Sequence, residues 1–70
     1  MVEVFKTNVP GFGNHAQDIV KELSALLPGY RINFDLDDCD RILRIEGEHI
    51  YPPTIIQWMH ARGYSCNILN

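Results

Sequence analysis

Seventy residues hold one domain at most, near the lower limit of what folds alone, because a short chain buries a smaller fraction of its surface. An apolar share of 46% with 21% charged residues is a globular balance, not that of a disordered chain. The formal net charge of −3, with six scattered Lys and Arg, argues against nucleic acid and anionic membrane as partners, since both need a basic patch.

Residues 2–8, rich in Val, Phe and Thr, predict a first strand. Its inward face is open: either Val2 and Val4, or Phe5, Thr7 and Val9, could point to the core. Pro10, Gly11 and Gly13 break the strand into a loop. Ala16, Ile19, Val20, Leu23, Leu26 and Leu27 then recur at helical spacing and predict a helix over residues 15–27 with one buried stripe. Asn14 suits the N-cap, Asp18 and Glu22 suit the early helix, and Pro28-Gly29 ends it.

From Tyr30 to Asp37 apolar residues alternate with polar ones, which predicts a strand with one wet face. Asp37-Asp38-Cys39-Asp40 makes a turn, and residues 41–46 return as the second arm of a hairpin, with Leu43 and Ile45 inward. Pro52-Pro53 can start a helix running over residues 53–62. Ile55, Ile56, Met59 and Trp58 supply its buried side, and Gly63 stops it. Residues 64–69 form a last short strand.

The order β-α-β-β-α-β with a right-handed crossover gives an α+β fold, the ferredoxin-like βαββαβ sandwich, as a single domain over residues 1–70. Its four antiparallel strands lie in the order 4-1-3-2, with two helices on one face. The expected core holds Ile19, Leu23, Leu26, Ile32, Phe34, Leu36, Leu43, Ile45, Ile56, Met59 and Ile68.

Two cysteines 27 positions apart, Cys39 and Cys66, do not make a disulfide-dense secreted scaffold. No apolar run is long enough to cross a bilayer. The stretch Met1-Val2-Glu3-Val4 lacks the basic and apolar regions of a signal peptide. A reducing cytoplasm is the expected location.

Three segments carry a family resemblance. They are Leu23-Ser24-Ala25-Leu26-Leu27-Pro28-Gly29-Tyr30; Asp35-Leu36 with Arg41-Ile42-Leu43-Arg44-Ile45-Glu46-Gly47; and the closing helix Ile55 to Tyr64. In this order they resemble the heavy-metal-associated domain family, the fold of small copper chaperones and of the N-terminal modules of metal-pumping ATPases. That family holds Cu(I) through a C-x-x-C opening its first helix. Here the stretch reads Val9-Pro10-Gly11-Phe12-Gly13-Asn14-His15-Ala16-Gln17. One alignment puts Asn14 and Gln17 at the cysteine positions; another puts Phe12 and His15 there. Both lose both thiolates, which soft Cu(I) requires. A shared fold does not carry a function without its residues.

His15 lies in or beside this loop. Imidazole suits Zn, Cu or Ni, yet one histidine is no chelate, and an exposed first-turn histidine is the simpler reading. The topology gathers the first loop and the junction before the last strand at one end. His15, His60 and Cys66 are therefore the candidate ligand set for a divalent metal, although no spacing motif supports it. Cys66 alternates with Tyr64 and Ile68, which favours a small buried hydrophobe over a ligand. Asp35, Asp37, Asp38 and Asp40 surround Cys39. Carboxylates suit Ca or Mg, but calcium-loop spacing is lacking and turn chemistry accounts for the aspartates. With those negative neighbours, Cys39 is expected to be an unreactive thiol. A Cys39–Cys66 disulfide is not expected: the two edge strands lie about 14 Å apart, and the bond needs Cα atoms within about 7 Å.

No catalytic constellation is present. Ser24 and Ser65 lack a His and Asp at motif spacing, and Gly11-x-Gly13 lacks the third Gly and the Lys of a phosphate loop. Trp58, Phe5 and Tyr51 serve either packing or an aromatic contact patch. The expected function is a non-enzymatic interaction or regulatory module without a resident cofactor. It would bind a protein partner or a second copy through a sheet edge. The alternative is a metal-binding or metal-transport protein using His15 with unconventional ligands.

Overall fold

The computed structural model describes residues 1–36 and 41–69. The turn over residues 37–40, with Cys39 and its aspartates, lies outside the described residues. The elements are β1 (Val2–Thr7), α1 (His15–Leu26), β2 (Arg31–Asp35), β3 (Ile42–Glu46), α2 (Pro52–Ala61) and β4 (Cys66–Ile68). The four strands form one sheet ordered β2-β3-β1-β4, with every neighbour antiparallel. This is the expected 4-1-3-2 order read from the other edge, and the fold is a ferredoxin-like α+β sandwich.

Strand register fixes which residues face the helices. Phe5 sits opposite Leu43 and Ile68, Thr7 opposite Cys66, and Ile32 opposite Ile45. Directly opposed residues share a face, so Phe5, Thr7, Leu43, Ile45, Ile32 and Cys66 line the covered side. The two open alternatives for β1 thus resolve to Phe5, Thr7 and Val9 inward. Against this face α1 presents Ile19 and Leu23, and α2 presents Ile55 and Met59, in one cluster completed by Ile50.

Thr7 is the buried polar residue of this layer. Its hydroxyl donates to the Arg41 carbonyl at 2.6 Å and accepts from the Val9 N–H at 3.3 Å, so its burial leaves no unmet bond.

Three expectations shift. Leu26 is 61% exposed, because α1 ends there and its side chain lies past the sheet-facing stripe. Ile68 is 41% exposed: β4 is a three-residue edge strand, with no further strand to shield its end. Phe34, Leu36 and Ile56 are half-buried instead of central. The core gains Phe5, Val9, Ile50, Ile55 and Cys66, which the expected set left out.

The end of α2 positions the candidate site. Gly63, at φ 86°, adopts the left-handed conformation. Its N–H donates to the His60 carbonyl at 2.9 Å, and the Tyr64 N–H donates to the Met59 carbonyl at 3.1 Å. These are the paired bonds of a Schellman cap. They turn the chain sharply and set Tyr64 beside the start of α1.

Candidate functional site

The site is the end of the domain formed by residues 8–14, the first turn of α1 and the junction before β4. Its base is locked. Val9 is fully buried, and its carbonyl accepts from Arg41 Nη1 at 3.0 Å. Together with the Thr7 bonds, this ties the loop to the start of β3. Arg41 itself stands at φ 49°, a left-handed conformation uncommon for a non-glycine residue. On the other side, the Ser65 N–H donates to Asn8 Oδ1 at 2.8 Å, fastening the loop to the β4 junction.

On this base stands a row of three aromatic side chains. Phe12, 75% exposed, meets His15 edge-on at 6.0 Å between ring centroids and 86° between planes. His15 meets Tyr64 edge-on at 6.1 Å and 88°. His15 Nδ1 and the Tyr64 hydroxyl lie 2.8 Å apart in a hydrogen bond. Asn14 occupies the N-cap position of α1 without a side-chain cap bond; its carbonyl accepts from the Asp18 N–H at 2.9 Å. The edge-to-face geometry matches the preference set by the ring quadrupoles.

The sequence-expected ligands part company here. His15 is exposed and engaged with Tyr64 through one ring nitrogen. His60 is exposed in the last turn of α2, outside the aromatic row. Cys66 is fully buried, and burial pushes its thiol up from the ordinary 9.0 to about 11. Metals bind the thiolate, so a thiol held in its neutral form is a poor ligand. Among the described residues, no three His, Cys, Asp or Glu side chains stand where they could hold one ion. His15, His60 and Cys66 are therefore not brought together as a ligand set. Asp35 is exposed at the end of β2, while Asp37, Asp38, Cys39 and Asp40 lie outside the described residues.

Sequence reasoning placed Phe12 in this loop but missed its contact with His15, and missed Tyr64 as a member of this end. A signal for Tyr64 was available: a residue directly after a helix-ending glycine is placed by the cap geometry. The contact of Phe12 had no such signal, because a loop aromatic carries no periodicity.

Elsewhere, an apolar groove of about 250 Å³ lies between the helices, lined by Leu23, Leu26, Leu27, Thr54, Ile55 and Trp58. Arg62 stacks on the Trp58 ring at 3.5 Å from its centroid and reaches Glu22 of α1 at 3.4 Å. No helix among the described residues is long and apolar enough to cross a membrane. No family model matches the chain, and no curated protein or solved structure matches it.

Proposed function

We propose that this chain is a non-enzymatic interaction module, similar in plan to a heavy-metal-associated domain, in which the metal-holding loop has been replaced by a contact surface. It would act in the cytoplasm and bind a protein partner or another copy of itself through a sheet edge. The observation that supports this is the composition of the loop end. Phe12 and Tyr64 each meet His15 edge-on there, and the stretch from Val9 to Gln17 contains no thiol. An aromatic row on a locked base, with Phe12 and His15 exposed and Tyr64 half-buried, is suited to burying area against another surface at low entropic cost. A two-coordinate Cu(I) site, by contrast, requires two thiolates converging on one point.

The test is a competition assay against a Cu(I) chelator under reducing conditions. The proposal expects the chelator to keep the metal. One Cu(I) retained per chain, and lost in His15→Ala or Cys66→Ser, would replace it with a metal-binding function.

A further inference from the structure

The strand at one edge of the sheet is complementary to itself. β2 pairs with β3 on one side and, among the described residues, meets no strand on the other. Its residues are Arg31-Ile32-Asn33-Phe34-Asp35. Laid antiparallel against a second copy about Asn33, this segment sets Arg31 opposite Asp35, Ile32 opposite Phe34, and Asn33 opposite Asn33. The two-fold axis repeats each unlike pair. Arg31, Asn33 and Asp35 are exposed, whereas Ile32 is buried and Phe34 half-buried. The ion pairs therefore meet on the open face of the sheet, and the apolar pairs meet on the covered face.

The backbone is poised for the same register. The Gly47 N–H donates to the Met1 carbonyl at 3.0 Å, one step beyond the partners Val2 and Glu46. Alternation along an antiparallel ladder then turns the amides of Ile45 and Leu43 toward β1, and those of Glu46, Arg44 and Ile42 toward β2. Their β2 partners Arg31, Asn33 and Asp35 are thereby paired within the sheet. The N–H and C=O groups of Ile32 and Phe34 face outward. With the axis at Asn33, Ile32 and Phe34 of the two copies become the residues that exchange hydrogen bonds.

Two further observations favour this edge. Glu46, the β3 neighbour of Arg31, stands 3.8 Å from Arg44, in an ion pair that does not involve Arg31. An open apolar groove of about 420 Å³ also runs beside β2 against α1, lined by Ala16, Val20, Ile32, Phe34 and Leu36 among others. A second copy would carry its own Phe34 over this groove. The opposite edge offers less: β4 is Cys66-Asn67-Ile68, three residues without a charge.

We propose that the chain forms a symmetric antiparallel dimer through β2, joining two sheets into one continuous sheet with Arg31 of each copy paired to Asp35 of the other. This rests on the interaction-module reading and names its partner as a second copy of the chain.

The test uses analytical ultracentrifugation on the full chain and on Arg31→Asp, Asp35→Arg and the double exchange, with circular dichroism to verify that each is folded. Both positions are exposed, so charge reversal does not disturb the core. The wild-type chain is expected to dimerise. Each single variant should weaken the dimer about tenfold or more, because like charges then face each other at both ion pairs. The double exchange should restore it. An equimolar mixture of the two single variants should form a heterodimer, since opposite charges again meet. A wild-type chain that stays monomeric at its highest soluble concentration overturns the proposal, as does a dimer indifferent to all these charge changes. A monomer that also retains no metal would leave the interaction-module reading standing, with another protein as partner. A Cu(I)-binding dimer with the expected charge response would do the reverse.

Discussion

The covered face of the sheet and the loop end before α1 are built on opposite terms. On the covered face, Phe5, Leu43 and Ile45 are wholly buried, as is Met59 of α2 packed against them, and the polar Thr7 is accepted only because its hydroxyl both donates and accepts a hydrogen bond. At the loop end, Phe12 and His15 hold their contacts while exposed. Burial supplies stability in proportion to apolar area removed from water. The covered face therefore carries the fold, and the loop end is free to vary its chemistry without unfolding the chain.

Truncation in the core should have the largest effect. Leu23→Ala is expected to cost about 2–5 kcal/mol, the usual range for a buried leucine, and in a domain this small that is a large share of total stability. Urea unfolding measures it. A cost below about 1 kcal/mol would show that the covered face does not carry the fold.

Alkaline pH probes the same face through Cys66. Its folded thiol titrates at about 11 against an ordinary 9.0, so the folded state holds the proton more tightly than the unfolded state. The stabilisation is complete below pH 9 and is lost as pH rises through 11, by up to about 1.4 kcal/mol for each pH unit of that window. Cys66→Ala should remove this part of the slope. An identical decline in both proteins would mean that the thiol is not held in the core.

The end of β1 away from the loop gives an intermediate case. A Cβ at Gly47 would press into the Tyr30 ring, whose hydroxyl donates to the His49 carbonyl. Gly47→Ala should cost about 1–3 kcal/mol by overpacking, and less in a Tyr30→Ala background. Thermal melts of the four proteins check this; equal costs in both backgrounds would rule out the clash.

The smallest effect belongs to the loop end. Tyr64→Phe removes the hydrogen bond to His15, and should cost no more than about 1 kcal/mol because the bond is exposed. A loss as large as that of Leu23→Ala would erase the contrast between the two regions.

Periodic burial made most of the fold legible in the sequence. Ile19 and Leu23, four apart, mark the inner stripe of α1, and Ile32, Leu43 and Ile45 mark the inner face of the hairpin. Where apolar residues occur on both faces, as Val2, Val4, Phe5 and Val9 do around β1, alternation alone cannot choose between them. Strand pairing with Leu43 and Cys66 makes the choice. Leu26 and Ile68 fit the period but lie where an element ends or the sheet stops, and periodicity carries no information about coverage. At the loop end, the absence of thiols and the place of His15 were legible, but not its contacts. The His15–Tyr64 bond joins residues 49 positions apart, and it depends on the cap after α2, which no local pattern around His15 reveals.

Native mass spectrometry after exposure to Cu(I) under reducing conditions tests the central claim most directly, since one spectrum reports both bound metal and assembly state. The proposed interaction module, paired through β2, should appear at the mass of the metal-free chain and its dimer. One copper ion retained on every chain would contradict it.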